Sequence, residues 1–349
     1  MCNEKTKKIA FFTGSMTRGG AEKVISLLAS DYSLKGYSVE IVCVLSKENE
    51  YPLDAKVCVK DLSSSSKLLA IKRIKQYLAE NSPDIVLVFM WQICLLFGLA
   101  SSRNRRYRLI MSERNDPRRP FKRRIFSWLI NSQYKKADTL VIQTESVRKC
   151  LPGSLKKKCI VIPNPIKIST ESSIESEKTI VTAGRLEHQK NQLMLIDAFF
   201  EFSKTHQDYS LEIFGEGRMR KKLEKRIKDL NLSGKVFLRG NVPNLHERIK
   251  KAEMFVLSSD YEGLPNALLE AMAMGMPVIS TAFPGSEDYI KNKKNGITIK
   301  KGDKNALVLA MNYLSENKSE RVRMGAAGKD TVSELTTKSV LSKWSRIID

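Results

Sequence analysis

Two glutamates sit inside a run that otherwise reads as protein core. Residues 258–280, SSDYEGLPNALLEAMAMGMPVIS, hold Glu262 and Glu270 among small and apolar neighbours. A lone buried charge is costly, so such carboxylates are paired or put to use. An ionised carboxylate only accepts hydrogen bonds, and its two oxygens suit a vicinal diol such as that of ribose or a hexose. The structural alternative is that Glu262 complements a helix dipole and Glu270 faces solvent. Leu268, Leu269, Ala271 and Met272 around Glu270 weigh against that alternative. A second charged stretch, Gly184-Arg-Leu-Glu-His-Gln-Lys-Asn191, places Arg185 and Lys190 in one turn. A forked guanidinium beside a point ammonium suits a diphosphate. Standing alone, the same pair would read as ordinary surface charge.

These residues need elements to hold them, and the pattern supplies strand-to-helix turns. Thr179 to Ala183 reads as a strand before the Arg185 turn, and Leu193 to Thr205 as the helix after it. Met254 to Leu257 reads as a strand, Ser258 to Gly263 as a loop, and Pro265 as the opening of a helix. That places Glu262 just before a helix N-terminus, whose amides and dipole attract phosphate, and Glu270 in its second turn.

The same grammar runs through the whole chain. Lys8 to Thr13, Val39 to Leu45, Ile85 to Phe89, Arg108 to Ser112 and Thr139 to Gln143 read as strands separated by helical stretches. After the turn Ile162-Pro-Asn-Pro165 and a polar linker, Ser169 to Lys178, the alternation restarts. Leu211 to Phe214, Lys235 to Leu238 and Pro277 to Ser280 complete the later strands, with a basic helix over Arg218 to Leu230. Alternation of this kind predicts parallel βαβ units. The expected fold is α/β, with two Rossmann-like doubly wound domains facing a central cleft. The expected boundaries are 1–168, 169–335 and a last helix, 336–349, that packs back on the first domain. Ligands in such sheets bind at the carboxyl ends of the strands.

Taken together these motifs resemble the retaining, two-domain GT-B glycosyltransferases of family 4. Arg185 and Lys190, then Glu262 with seven residues to Glu270 and Ala-Met-Ala-Met-Gly-Met-Pro-Val278, carry the resemblance. Gly19-Gly20-Ala-Glu22 is similar to the first glycine loop, Ile162-Pro-Asn-Pro-Ile166 to the interdomain crossing, and Phe214-Gly-Glu-Gly217 to a further donor-domain loop. The motifs fall in order over nearly the whole chain. Ser112-Glu-Arg-Asn-Asp-Pro117 further resembles bacterial members that build capsule, exopolysaccharide or O-antigen units on a lipid diphosphate carrier.

The resemblance implies roles. Arg185 and Lys190 would hold the donor diphosphate and stabilise the departing nucleotide, and Glu262 would bind hydroxyls of the transferred sugar; these three form the expected catalytic set. Glu270 would take the ribose diol. Amides around Gly263, Leu264, Pro265 and Asn266 would cap the β-phosphate, with Gly19, Gly20 and Gly215 also on the donor side. Arg18, Glu113, Arg114 and Asn115 would meet the acceptor. Many relatives carry a histidine where this chain has Glu113-Arg114, and the first histidine here is His188. No general base is assigned. No cofactor is expected, and the absence of an Asp-x-Asp triplet points to a reaction without metal.

Composition bounds the partners. The 349 residues contain 42% hydrophobic and 28% charged side chains, enough for two ordinary soluble domains. Sixty Lys and Arg oppose 38 acids, a net charge of +22, and residues 1–170 carry +17 of it. Residues 103–124 alone hold ten cations against Glu113 and Asp116, and Phe121, Ile125, Phe126, Trp128 and Leu129 follow or interleave with them. Cations mixed with aromatics suit an anionic membrane surface, so 103–130 is the expected docking segment. A solvated helix with its apolar side on the core is the alternative, and no nucleic-acid motif accompanies the charge. The run Ile85 to Ala100 is shorter than the roughly 18 residues of a spanning helix and reads as a strand and a core helix. Six cysteines without a CxxC pair and no signal-like start lead to the expectation of a cytoplasmic protein, peripheral on the inner membrane face. The expected activity is transfer of a hexose or N-acetylhexosamine from a nucleotide sugar, UDP-linked, to a lipid-linked saccharide. A transferase with a soluble acceptor and a non-catalytic lipid- or polyanion-binding protein are the alternatives.

Overall fold

The computed structural model describes residues 6–17, 19–46, 48–102, 104–114, 124–166 and 177–349, with the side chains of 124–126 excepted. The chain divides into two compact units, Met1–Asn164 with Lys338–Asp349, and Pro165–Thr337.

The first unit is built on β1 (Lys8–Thr13), β2 (Ser38–Cys43), β3 (Cys58–Asp61), β4 (Ile85–Phe89), β5 (Arg108–Ser112), β6 (Thr139–Ile142) and β7 (Cys159–Val161). They form one parallel sheet in the order β3-β2-β1-β4-β5-β6-β7. Alternate residues of β1 supply two separate cores. Ile9 and Phe11 join one cluster, Ala10 and Phe12 the other. That is why β1 and β4 read as continuous apolar runs: helices cover both faces. The helix Trp91–Ala100 buries Ile93, Cys94, Leu96, Phe97 and Ala100 in one of these cores. Among the described residues no helix is long and apolar enough to cross a membrane. The last helix, Thr337–Ile348, buries Val340, Trp344, Ile347 and Ile348 in the other core, with the Trp344 ring 5.8 Å from that of Phe89.

The second unit repeats the plan with β8 (Glu177–Ala183), β9 (Ser210–Phe214), β10 (Val236–Gly240), β11 (Ala252–Leu257), β12 (Val278–Thr281) and β13 (Ile297–Ile299). Their order is β10-β9-β8-β11-β12-β13, again parallel. Glu177 and Lys178, read from sequence as linker, already belong to β8. Met254 and Val256 of β11 face one core, Phe255 and Leu257 the other. In both sheets the strand order reverses direction beside the first strand, between β1 and β4 and between β8 and β11. Such a switch point opens a crevice at the carboxyl edge because the flanking helices depart to opposite faces.

Candidate active site

At the second switch point the loops after β8 and β11 lie side by side, and five polar contacts join them. The Ser258 hydroxyl donates to the Lys190 carbonyl at 2.9 Å. The Asp260 amide donates to the Gln189 carbonyl at 2.8 Å, and Gln189 Nε2 donates to the Tyr261 carbonyl at 2.8 Å. Asn191 Nδ2 donates to Asp260 Oδ1 at 3.1 Å. Lys190 Nζ stands 2.6 Å from Glu262 Oε1, with both side chains largely buried. Ser259 Oγ adds a second donor to the same oxygen at 2.8 Å. Lys190 and Glu262, 72 residues apart in sequence, therefore meet as one charge-paired unit.

The backbone here has no room for side chains at two positions. Gly215, first residue after β9, has φ +129°, and a Cβ there would lie 2.2 Å from the Gly184 carbonyl oxygen. A Cβ on Gly285 would lie 1.8 Å from the carbonyl of Gly263. The first approach holds the loop after β9 against that after β8, and the second holds the helix after β12 against the loop after β11. Arg185 is exposed beside them, its carbonyl accepting from Gln192 Nε2 at 3.1 Å.

The helix Asn266–Ala273 starts directly after Gly263-Leu264-Pro265, and no side chain caps it. Its first-turn amides and dipole give that end positive character. Glu270, one turn in, is buried. Its Oε2 lies 3.5 Å from His246 Nε2, an ion pair when the imidazole is protonated. His246 stands in the short helix Leu245–Ile249 after β10, so Glu270 is not a solvent-facing residue and has a neighbour that spacing gave no hint of.

In the first unit, Gly19 and Gly20 open the helix Gly20–Leu34 at the loop after β1. Gly19 has an extended backbone; its amide donates to Tyr51 Oη at 3.1 Å and its carbonyl accepts from that hydroxyl at 2.7 Å. Glu113 and Arg114 follow β5 and are both buried. Glu113 accepts from the Arg114 amide at 2.9 Å and from Tyr134 Oη. The Arg114 guanidinium lies over the rings of Phe89 and Trp344, 5.6 and 5.7 Å from their centres, and Nη1 donates to the Ile162 carbonyl at 3.3 Å. Its Nε and Nη2 are buried without a hydrogen-bond partner among the described residues. Burial draws its pKa down to about 9, with Glu113 and Glu22 opposing the fall. Arg18 and Asn115 lie outside the described residues, as do Arg103 and 115–123 of the basic segment 103–130. Among the described residues no group of three or more His, Cys, Asp or Glu is placed to hold a metal ion.

Sequence reasoning missed Tyr51, His246, Gln189, Ser259 and Asp260. Tyr51 lies 32 residues from Gly19, and His246 is 24 from Glu270, so only the fold brings them together.

Two family models match. "Glycosyl transferases group 1" covers residues 166–331 and "Glycosyltransferase Family 4" covers residues 18–170. A Campylobacter jejuni relative, named as an α-1,4-N-acetyl-D-galactosaminyltransferase acting on an undecaprenyl-diphosphate-linked glycan, is 26% identical over 98% of both chains. The amylovoran biosynthesis glycosyltransferase AmsD of Erwinia amylovora is 24% identical over 98% of this chain and 99% of its own. Among solved structures, TarM superposes with a TM-score of 0.82 at 14% identity, covering 99% of each chain. Anabaena HepE, solved with UDP and glucose, gives 0.82 at 15% identity over 98% of this chain and 99% of its own. The fold is thus GT-B. The two family matches run from residue 18 to residue 331, and the chain belongs to the glycosyltransferases of group 1 and family 4.

Proposed function

We propose that this enzyme moves a hexose or N-acetylhexosamine, with retention, from a UDP-sugar to a lipid-linked saccharide in bacterial surface-polysaccharide synthesis. The observation that carries the reading is the Lys190–Glu262 pair at 2.6 Å, fixed at a switch point beside the start of the helix Asn266–Ala273. HepE was solved with UDP and glucose, a TarM variant with UDP, and the Campylobacter relative is named for an undecaprenyl-diphosphate-linked substrate. Those names support the donor and acceptor classes for this chain.

The physical logic follows from the bond that breaks. Cleaving the sugar–phosphate bond leaves both electrons on the diphosphate, and groups already aimed there stabilise that charge without reorganising. Arg185 and Lys190 take this role, with the amides of Gly263 to Asn266 at the β-phosphate. Glu262, its Oε1 occupied by Lys190 and Ser259, offers its other oxygen to hydroxyls of the moving sugar. Glu270, beside His246, takes the ribose diol. Gly19, Gly20 and Gly215 are assigned to the donor side. On the same face as the departing diphosphate, the acceptor oxygen bonds the anomeric carbon and passes its proton to a leaving phosphate oxygen. This needs neither a protein base nor a metal, so chelation with EDTA should leave turnover intact.

Arg18, Glu113, Arg114 and Asn115 are assigned to the acceptor. A buried guanidinium with two unpartnered nitrogens costs stability, a cost that an anionic acceptor would relieve. The domains act as the two compact units described above, with the last helix belonging to the first. The protein works on the inner face of the membrane, held by its basic segment 103–130. Incubation with UDP-sugars and a polyprenyl-diphosphate-linked saccharide should release UDP. Release with a soluble sugar acceptor alone would favour the soluble-acceptor reading instead.

A further inference from the structure

Parallel strands enter a sheet from one edge, so the residues just before them gather there. In the first unit β5, β6 and β7 are neighbours. Their entering turns, 104–108, 135–138 and 156–158, hold eight Lys and Arg against a single carboxylate, Asp138. That carboxylate is already engaged: Arg105 Nη2 donates to both its oxygens at 2.8 Å, and the Leu109 amide donates at 2.7 Å. Arg105 Nε is buried beside it with no hydrogen-bond partner among the described residues.

A cavity of about 360 Å³ opens at this rim, lined by Arg105, Ser132, Lys135 and Lys136. Lys135 is exposed, whereas Lys136 Nζ reaches the Gly98 carbonyl across the packing of the helices Trp91–Ala100 and Arg124–Tyr134. Trp128 and Ser132 share the face of the second helix that leads to Lys135. Trp128 is 70% exposed and Leu99, next to Gly98, is 45% exposed. Large apolar side chains left in water beside a cationic pocket fit the boundary of a bilayer, where rings enter the headgroup layer and cations meet phosphate.

We infer that this amino-edge rim, with the Arg105–Lys135–Lys136 pocket and the flanking Trp128 and Leu99, seats the headgroup phosphates of an anionic phospholipid bilayer. The inference rests on the membrane-acceptor reading above and moves the contact to a defined place. Glu113 and Arg114 lie at the other end of β5, about 15 Å away by strand rise, so the pocket is separate from the candidate acceptor residues. It holds the enzyme on lipid and takes no part in the transfer.

Sedimentation with phosphatidylcholine vesicles, with and without phosphatidylglycerol, tests this on the full-length protein. The wild type should bind only the vesicles containing phosphatidylglycerol. Lys135→Glu should weaken that binding by roughly tenfold and Trp128→Ala by about threefold. Lys222→Glu, the same charge change on the exposed face of the helix Arg220–Asp229 in the other unit, should cost about twofold at most. Inorganic phosphate at millimolar levels should not displace the protein from vesicles. Equal losses for Lys135→Glu and Lys222→Glu, full binding by Trp128→Ala, or equal binding to phosphatidylcholine alone would overturn the inference. So would release from vesicles by inorganic phosphate or by short nucleic-acid duplexes. UDP release from a soluble acceptor analogue reports the transferase reading separately, so either claim can fail alone.

Discussion

Lys190 and Glu262 neutralise each other at the candidate site, and this pairing has consequences for both stability and turnover. Removing one partner leaves a largely buried charge alone, which costs more than the pair contributes. Lys190→Ala and Glu262→Ala should each lower stability, while the double variant recovers part of the loss; thermal denaturation of the three proteins measures the coupling. Arg114 behaves in the opposite sense. A base whose folded pKa is drawn down to about 9 disfavours the folded state wherever it is charged. That penalty is present in full below about pH 9 and is relieved as pH rises from there toward the ordinary guanidinium value of 12.5. Arg114→Met should therefore stabilise the protein by roughly 1 kcal/mol at neutral pH. The gain should shrink above about pH 9, as chemical denaturation of both proteins across that range would show. Loss of stability in Arg114→Met at neutral pH would contradict this account.

At the scale of elements, the loops after β8, β9, β11 and β12 act as one body, because backbone meets backbone at Gly215 and Gly285 and polar contacts tie the β8 loop to the β11 loop. Gly215→Ala places a methyl group where the Gly184 carbonyl sits, so the Arg185 turn must move. Turnover should fall by about tenfold or more, since misplacing a site by an ångström is that costly. The last helix is a second such test. Trp344 is fully buried against Phe89 and the Arg114 guanidinium, and Trp344→Ala should cost about 3–5 kcal/mol by urea denaturation. The central strands were legible in the sequence because a doubly covered strand must be apolar throughout, as in IVLVF of β4. The edge strand β3, CVKD, was not, because all four of its residues are exposed and its polarity looks like a loop. β7 and β13, three residues each, are too short for any periodicity to register. Lys190 and Glu262 were visible singly through their strand-to-helix turns. Their contact, and the neighbours Ser259, Gln189 and His246, depend on strand order, which residue spacing does not encode.

The whole molecule joins two parallel-sheet units, each with its own switch point, and distributes its charge unevenly between them. The first half carries +17 of the +22 net charge, and three adjacent entering turns concentrate eight cations at one sheet edge. Charge-driven membrane attachment should weaken steeply as salt rises through physiological strength, whereas UDP release from a soluble acceptor analogue should change little. Vesicle sedimentation and turnover across one salt series measure both. The most direct test of the central claim is UDP release from UDP-sugars in the presence of a polyprenyl-diphosphate-linked saccharide, comparing wild type, Lys190→Ala and Glu262→Ala. Release should depend on the acceptor and fall by about a hundredfold or more in each variant, with both variants still folded. Full turnover in both variants would contradict that claim.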